Sequence, residues 1–162
     1  MMGRLYAPWR SAYLMGEPAQ GCLFCSLAAS PGQDRANFVL ERGREWFIVI
    51  NRYPYTTGHL MVVSLRHVET VADFQGQEGA EMVELLARCE TAIKRAYGPD
   101  GINLGANLGR SAGAGIVGHF HMHMVPRWHG DTNFMAAVGE TRVVSEDLHE
   151  TYDRLLRALR EA

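Results

Sequence analysis

The run Gly118-His119-Phe120-His121-Met122-His123-Met124-Val125-Pro126 carries the densest chemistry in the chain. In an extended strand, successive side chains point to opposite faces. His119, His121 and His123 would then share one face, and Phe120, Met122 and Met124 the other. The apolar face can enter a core. The polar face would hold imidazoles roughly 7 Å apart, rings that titrate near neutrality and repel one another once protonated. Such a face suits nucleophilic or acid–base work by neutral imidazole. It also allows metal ligation, although residues about 7 Å apart do not converge on one ion without help from another strand.

Upstream lies Asn107-Leu108-Gly109-Arg110-Ser111-Ala112-Gly113-Ala114-Gly115-Ile116-Val117. Its small residues let the backbone approach a ligand, and consecutive N–H groups can cradle an anion. Alone it reads equally as a flexible hairpin. Joined to the histidine face, Gly113, Ala114 and Gly115 read as a phosphate cradle, which points to chemistry at phosphorus. Cys22-Leu23-Phe24-Cys25 is a second constellation. Two thiolates at this spacing can hold half a zinc site, which needs a further half-site elsewhere in the chain. A redox pair would want a βαβ pattern, which is missing, and two buried thiols are the plain alternative. Cys89 belongs to a helix stripe. His129 and His149 suggest nothing beyond surface positions.

The elements that must position these residues follow from patterning. Phe38–Glu41, Trp46–Ile50, His59–Val63, Ile102–Asn107 and Gly118–Val125 read as strands. A helix is expected over Glu78–Tyr97, where Met82, Leu86, Cys89, Ile93 and Ala96 form one apolar stripe and Gly98-Pro99 ends it. A second helix starts near Ser145 as its cap, with Leu148, Tyr152, Leu155 and Leu159 as its stripe. Residues 30–35 and Asn51 to Gly58 read as turn and loop. The fold class expected is α+β, a five-stranded antiparallel sheet with two helices.

At 162 residues, one domain is the expectation, with residues 1–21 as an irregular arm carrying Tyr6, Trp9 and Tyr13, and 22–162 as the domain. A net charge of −2 gives no case for nucleic acid as a partner. No stretch suits a secretory signal or a bilayer span, so no membrane partner is expected. Three cysteines, an odd number, make no disulfide framework and suggest a reducing cytoplasm.

His119-Phe120-His121-Met122-His123-Met124-Val125 resembles the defining pattern of the histidine triad (HIT) superfamily. Asn51-Arg52-Tyr53-Pro54 with Gly58-His59-Leu60-Met61-Val62 looks like that family's nucleoside-binding strand pair. Pro126-Arg127-Trp128-His129-Gly130-Asp131 is similar to the segment after the triad in the fragile-histidine-triad branch. Ala7-Pro8-Trp9-Arg10 and Asn133-Phe134-Met135 look like the bacterial diadenosine tetraphosphate phosphorylases of that branch. The resemblance runs from about residue 5 to 155.

This resemblance implies catalysis by His121 as nucleophile on the α-phosphorus of a nucleotide, through a covalent nucleotidyl-histidine. His123 would bind or protonate the leaving group, and His59 would lie beside the phosphates. Asn51 would bind the ribose and Asn107 the phosphate chain, with Gly113, Ala114 and Gly115 as the cradle. As large aromatics, Trp128 and Trp9 are candidates to stack on the base or to pack across a dimer interface, the latter favoured for Trp9. Phe47, Ile48 and Leu60 are candidates for a base pocket or for plain core. Cys22, Cys25, His67 and His119 would hold a structural zinc, and no organic cofactor is implied. The substrate implied is a purine dinucleoside polyphosphate, with inorganic phosphate or water as acceptor and phosphate favoured. A nucleoside phosphoramidate hydrolase and a nucleotide-sensing module with little turnover are the alternatives. A homodimer with one sheet continuing into the next is also implied. In one respect the sequence departs from the pattern. Family members often carry a hydroxyl residue three or four positions before the triad, where this chain has Ile116 and Gly115.

Overall fold

The computed structural model describes residues 21–131 and 145–162. The Tyr6, Trp9 and Tyr13 arm and the Asn133-Phe134-Met135 segment lie outside them. Five strands form one antiparallel sheet: β1 (Val39–Arg42), β2 (Trp46–Ile50), β3 (Leu60–Ser64), β4 (Gly101–Gly105) and β5 (His121–Arg127), in the order β1-β2-β3-β5-β4. Among the described residues there are three α-helices: α1 (Leu23–Ala28), α2 (Glu78–Tyr97) and α3 (Leu148–Arg160). The α+β expectation therefore holds with one helix added. At six residues, α1 is too short for a 3.6-residue period to show.

Alternation sorts the strands onto two faces. Trp46, Ile48, Ile50, Leu60, Val62, Phe120 and Met124 meet Leu86, Cys89 and Ile93 of α2 and Tyr152, Leu155 and Leu159 of α3 in the main core. Val39, Phe47, Val49, Met61 and Val63 line the opposite face, where Phe24 of α1 covers them. Among the described residues this second layer is small, in keeping with the six residues of α1. His121 is opposite Val63 and His123 opposite Met61 in the β3–β5 ladder, so both histidines stand on that thinly covered face.

Two buried acids tie helix to sheet. The Glu81 carboxylate accepts from the Arg44 and Glu45 N–H groups in the β1–β2 turn. Glu78 accepts two bonds from Arg66, while its carbonyl takes the Trp46 indole N–H at 2.8 Å. Gly98 closes α2 in the left-handed region, as its type at that position demands. The α3 cap is Asp147, whose carboxylate accepts from His149 N–H, and not Ser145. Ser145 lies two residues too early and hydrogen-bonds Thr57 instead. No helix among the described residues is long and apolar enough to cross a membrane.

Candidate active site and metal centre

The three histidines do not act as one row. Only His121 and His123 lie in β5; His119 precedes it. Gly118, at φ +81°, turns the chain just before, and Phe120 N–H bonds Val68 O at 2.6 Å rather than a β3 residue. The chain here wraps around the segment after β3, so ladder pairing starts only at His121. Consequently His119 faces the cysteines, while the His121 and His123 rings lean together with centroids 4.9 Å apart.

Hydrogen bonding fixes a protonation pattern for each ring. His121 Nδ1 lies 2.8 Å from the carbonyl oxygen of His119. A carbonyl only accepts, so Nδ1 carries the hydrogen and Nε2 keeps its lone pair. His59 Nδ1 accepts from Tyr55 N–H at 3.1 Å, which puts the His59 hydrogen on Nε2. That hydrogen is donated to His123 Nδ1 at 3.0 Å, so neutral His123 carries its own on Nε2. One ring thus offers a nucleophilic nitrogen, and its neighbour offers a donor.

Burial favours the neutral form of His121 and His123. His121 is 4% exposed. Loss of hydration pushes the His121 pKa below its ordinary value, the His119 carbonyl offsetting this only in part. For His123, burial first and the neighbouring His121 second push it down to about 4. An imidazole that attacks must be unprotonated, so both shifts favour nucleophilic work at neutral pH.

Cys22, Cys25, His67 and His119 form the second cluster, their ligand atoms all within 4.8 Å of one another. Cys22 Sγ is 3.2 Å and Cys25 Sγ 3.6 Å from His119 Nδ1, and Cys25 Sγ is 3.2 Å from His67 Nδ1. Zinc bonds of ~2.3 Å to sulfur and ~2.0 Å to nitrogen set a tetrahedral S···N edge of about 3.5 Å. The residues fit that edge. The tautomer fits as well: His119 Nε2–H donates to Ser64 O at 2.7 Å, leaving the Nδ1 lone pair facing the sulfurs. Both cysteines are free thiols, not a disulfide.

Other expected site residues divide. Asn51 pairs with His59 through Asn51 N–H to His59 O, and its side-chain oxygen holds the Tyr53 N–H. Asn107 follows β4, two residues past Gly105, the partner of His123. Both thus flank the histidine cluster. The expected cradle of Gly113, Ala114 and Gly115 follows a tight turn. A 3-10 turn at Arg110–Ala112 uses Gly113 N–H on Arg110 O and Ala114 N–H on Gly109 O, so two of the three donors close the turn. Trp128 does not join the histidine face. It shares parity with Met122 and Met124 and meets Tyr97 of α2 edge to face, with centroids 6.5 Å apart. Ile48 and Leu60 belong to the core beneath the helices. Phe47 lies beneath Phe24. Tyr55, Ser64 and Phe24 are participants that residue types alone did not single out, since each acts through a backbone group, a carbonyl or a ring edge.

The HIT domain family model matches residues 32–130. The chain is 38% identical over 157 residues to AP-4-A phosphorylase of Mycobacterium tuberculosis, covering 91% of this chain and 80% of that protein. A zinc-bound histidine triad family protein from Mycobacterium smegmatis superposes with a TM-score of 0.70 at 25% identity, over 89% of this chain and 96% of that one. A hypothetical histidine triad nucleotide-binding protein from Sulfolobus tokodaii gives a TM-score of 0.65 at 28% identity, over 86% and 90%.

Proposed function

The chain belongs to the histidine triad (HIT) family and is an enzyme of that type, and from this premise we propose that it cleaves dinucleoside polyphosphates, diadenosine tetraphosphate first among them, at the α-phosphorus. The observation that carries the reading is the tautomer of His121. Its Nδ1–H is committed to the His119 carbonyl, and Nε2 is left as a neutral nucleophile beside a hydrogen-bonded His59–His123 pair.

In the first step, His121 Nε2 attacks the α-phosphorus. An N–P bond forms while the P–O bond to the leaving nucleoside polyphosphate breaks. His123 Nε2–H supplies a hydrogen bond to the departing oxygen, and His59 holds that ring in the donor tautomer. In the second step an acceptor attacks the nucleotidyl-histidine and restores the neutral ring. Inorganic phosphate as acceptor gives ADP and ATP; water gives AMP and ATP. The name of the M. tuberculosis relative supports phosphate. In this reading Asn51 would meet the ribose and Asn107 the phosphate chain.

Cys22, Cys25, His67 and His119 would hold zinc in a closed four-ligand shell, a structural role with no open position for substrate. The reading includes a homodimer formed through the β4 edge, one domain over 22–162 and an arm over 1–21. The test is anion-exchange analysis of products from diadenosine tetraphosphate with and without inorganic phosphate. ADP plus ATP formed only with phosphate is the expected result. AMP plus ATP in both cases replaces phosphorolysis by hydrolysis, and no turnover in either sinks the reading.

A further inference from the structure

The metal cluster and the nucleophile share more than the short segment from His119 to His121. Phe24 lies inside Cys22-Leu23-Phe24-Cys25, between the two thiols. Its ring is 1% exposed and packs against His121 at a centroid distance of 4.9 Å and against His119 at 5.4 Å. His123 meets His121 edge on at 4.9 Å, so the His121 ring has an aromatic neighbour in Phe24 and another in His123. Phe47, fully buried, supports Phe24 from beneath at 6.5 Å.

What holds Phe24 there is the docking of α1. Six residues make less than two turns, far too few to form a helix unaided. The N-terminal end is tied by the cysteines facing His67 and His119. The C-terminal end is tied by Arg42, whose guanidinium donates to Ala28 O at 3.2 Å and Leu27 O at 2.8 Å while bonding Asp34. The His119 carbonyl that orients His121 belongs to one of the same four ligand residues.

We propose that Phe24 is a positioning residue for the nucleophile: α1, pinned by the Cys22–Cys25–His67–His119 cluster at one end and Arg42 at the other, presses Phe24 against the His121 ring and so holds that ring in the orientation where Nδ1–H meets the His119 carbonyl. This rests on His121 being the nucleophile of the proposed reaction. Without the Phe24 ring, His121 gains room to rotate about χ2, and its donor bond weakens. Binding groups for the nucleotide are untouched, because Asn51 and Asn107 belong to other elements. The effect therefore falls on the chemical step. Small misplacements of a reacting group cost up to about 100-fold in rate, and loss of one side wall belongs near the lower part of that range.

The experiment uses the zinc-loaded full chain with Phe24→Ala and Phe24→Leu, the latter keeping an apolar side chain should the former fold poorly. Steady-state kinetics on diadenosine tetraphosphate are paired with long-range 15N–1H NMR of the histidine rings in the unliganded protein. Expected are zinc content equal to the parent, a kcat lower by about tenfold in Phe24→Ala and less in Phe24→Leu, KM within about threefold, and a His121 ring that passes from one Nδ1–H tautomer to a tautomer mixture. A folded, zinc-loaded Phe24→Ala or Phe24→Leu with the parent's His121 spectrum overturns the proposal. Equal losses in KM and kcat/KM with kcat intact also overturn it, by making Phe24 a binding residue. The NMR arm needs no substrate, so it decides the positioning role even if diadenosine tetraphosphate is not turned over, an outcome that fails the functional reading alone.

Discussion

At the scale of single residues, two of the histidines carry separable predictions. His121→Asn keeps the size and a hydrogen-bonding group but removes the ring nitrogen that attacks. Turnover is expected to fall by several orders of magnitude while nucleotide binding, read by calorimetry, stays within a few fold. Activity within tenfold of the parent would remove His121 from the nucleophile's role. His123 gives a pH dependence. Its folded pKa is about 4, below the ordinary value of 6.5. Between those values the unfolded chain binds a proton that the folded chain refuses, so stability rises with pH across that window and is lost as pH falls from 6.5 towards 4. Below 4 both forms are protonated and this contribution levels off. With allowance for its half-open position, the contribution is about 2 kcal/mol. Urea melts of the parent and His123→Gln at pH 7 and pH 4.5 measure it. The parent should lose more between the two pH values by about that amount, and equal losses would show that His123 titrates as it does in water.

At the scale of elements, the metal cluster joins three separate pieces: α1, the segment after β3 that carries His67, and the entry to β5. Zinc bound only by the folded chain adds its binding free energy to stability. Protein purified without chelator should contain one zinc per chain. Cys22→Ser should lose the metal and on the order of 3 kcal/mol of stability, with activity per folded molecule falling far less than in His121→Asn. Unchanged metal content and melting temperature in Cys22→Ser would make the pair ordinary partly buried thiols. The same elements show what sequence reveals and what it hides. Trp46–Ile50 is legible as a short continuous apolar run bounded by polar residues, and the α2 stripe because a 3.6-residue period repeats within it. His121 and His123 on one face of β5 are legible from the two-residue alternation around them. The fate of His119 is not, since alternation assumes a strand that starts before it. Gly118 and the Phe120–Val68 bond delay that start through contacts with residues some fifty positions away. The turn at Gly113–Gly115 is not legible for a related reason: small residues permit a cradle and a closed turn equally, and only backbone geometry chooses. Phe24 and α1 were hidden because a six-residue helix shows no period and its ring works by contact.

At the scale of the whole molecule, the two sheet edges differ. β1 is blunted: its register with β2 slips between Val39 and Glu41, Phe38 adopts φ +57°, and charged Glu41 and Arg42 end it. The β4 edge is not. Gly-Ile-Asn-Leu-Gly is uncharged, and four of its five residues are exposed. Leu104 is 55% exposed, with Leu108 at 47% and Val117 at 41% elsewhere on the surface. An open, uncharged edge is a template for another strand, and natural sheets protect such edges by charge, bulge or pairing. Pairing with the same edge of a second copy satisfies the backbone groups and covers Leu104 by a two-fold operation. The expected outcome is a dimer of about 36 kDa, twice the 18.1 kDa chain, by light scattering during size-exclusion chromatography. Leu104→Arg places a like charge near its own symmetry mate on both copies and removes apolar contact, so it should shift the protein to monomer at micromolar concentration. Because β4 also carries the chain towards Asn107, the monomer should show a raised KM for the dinucleotide while the His121 tautomer stays as in the parent. A parent that elutes as a monomer, or a Leu104→Arg variant that stays dimeric, would show that β4 is not the contact.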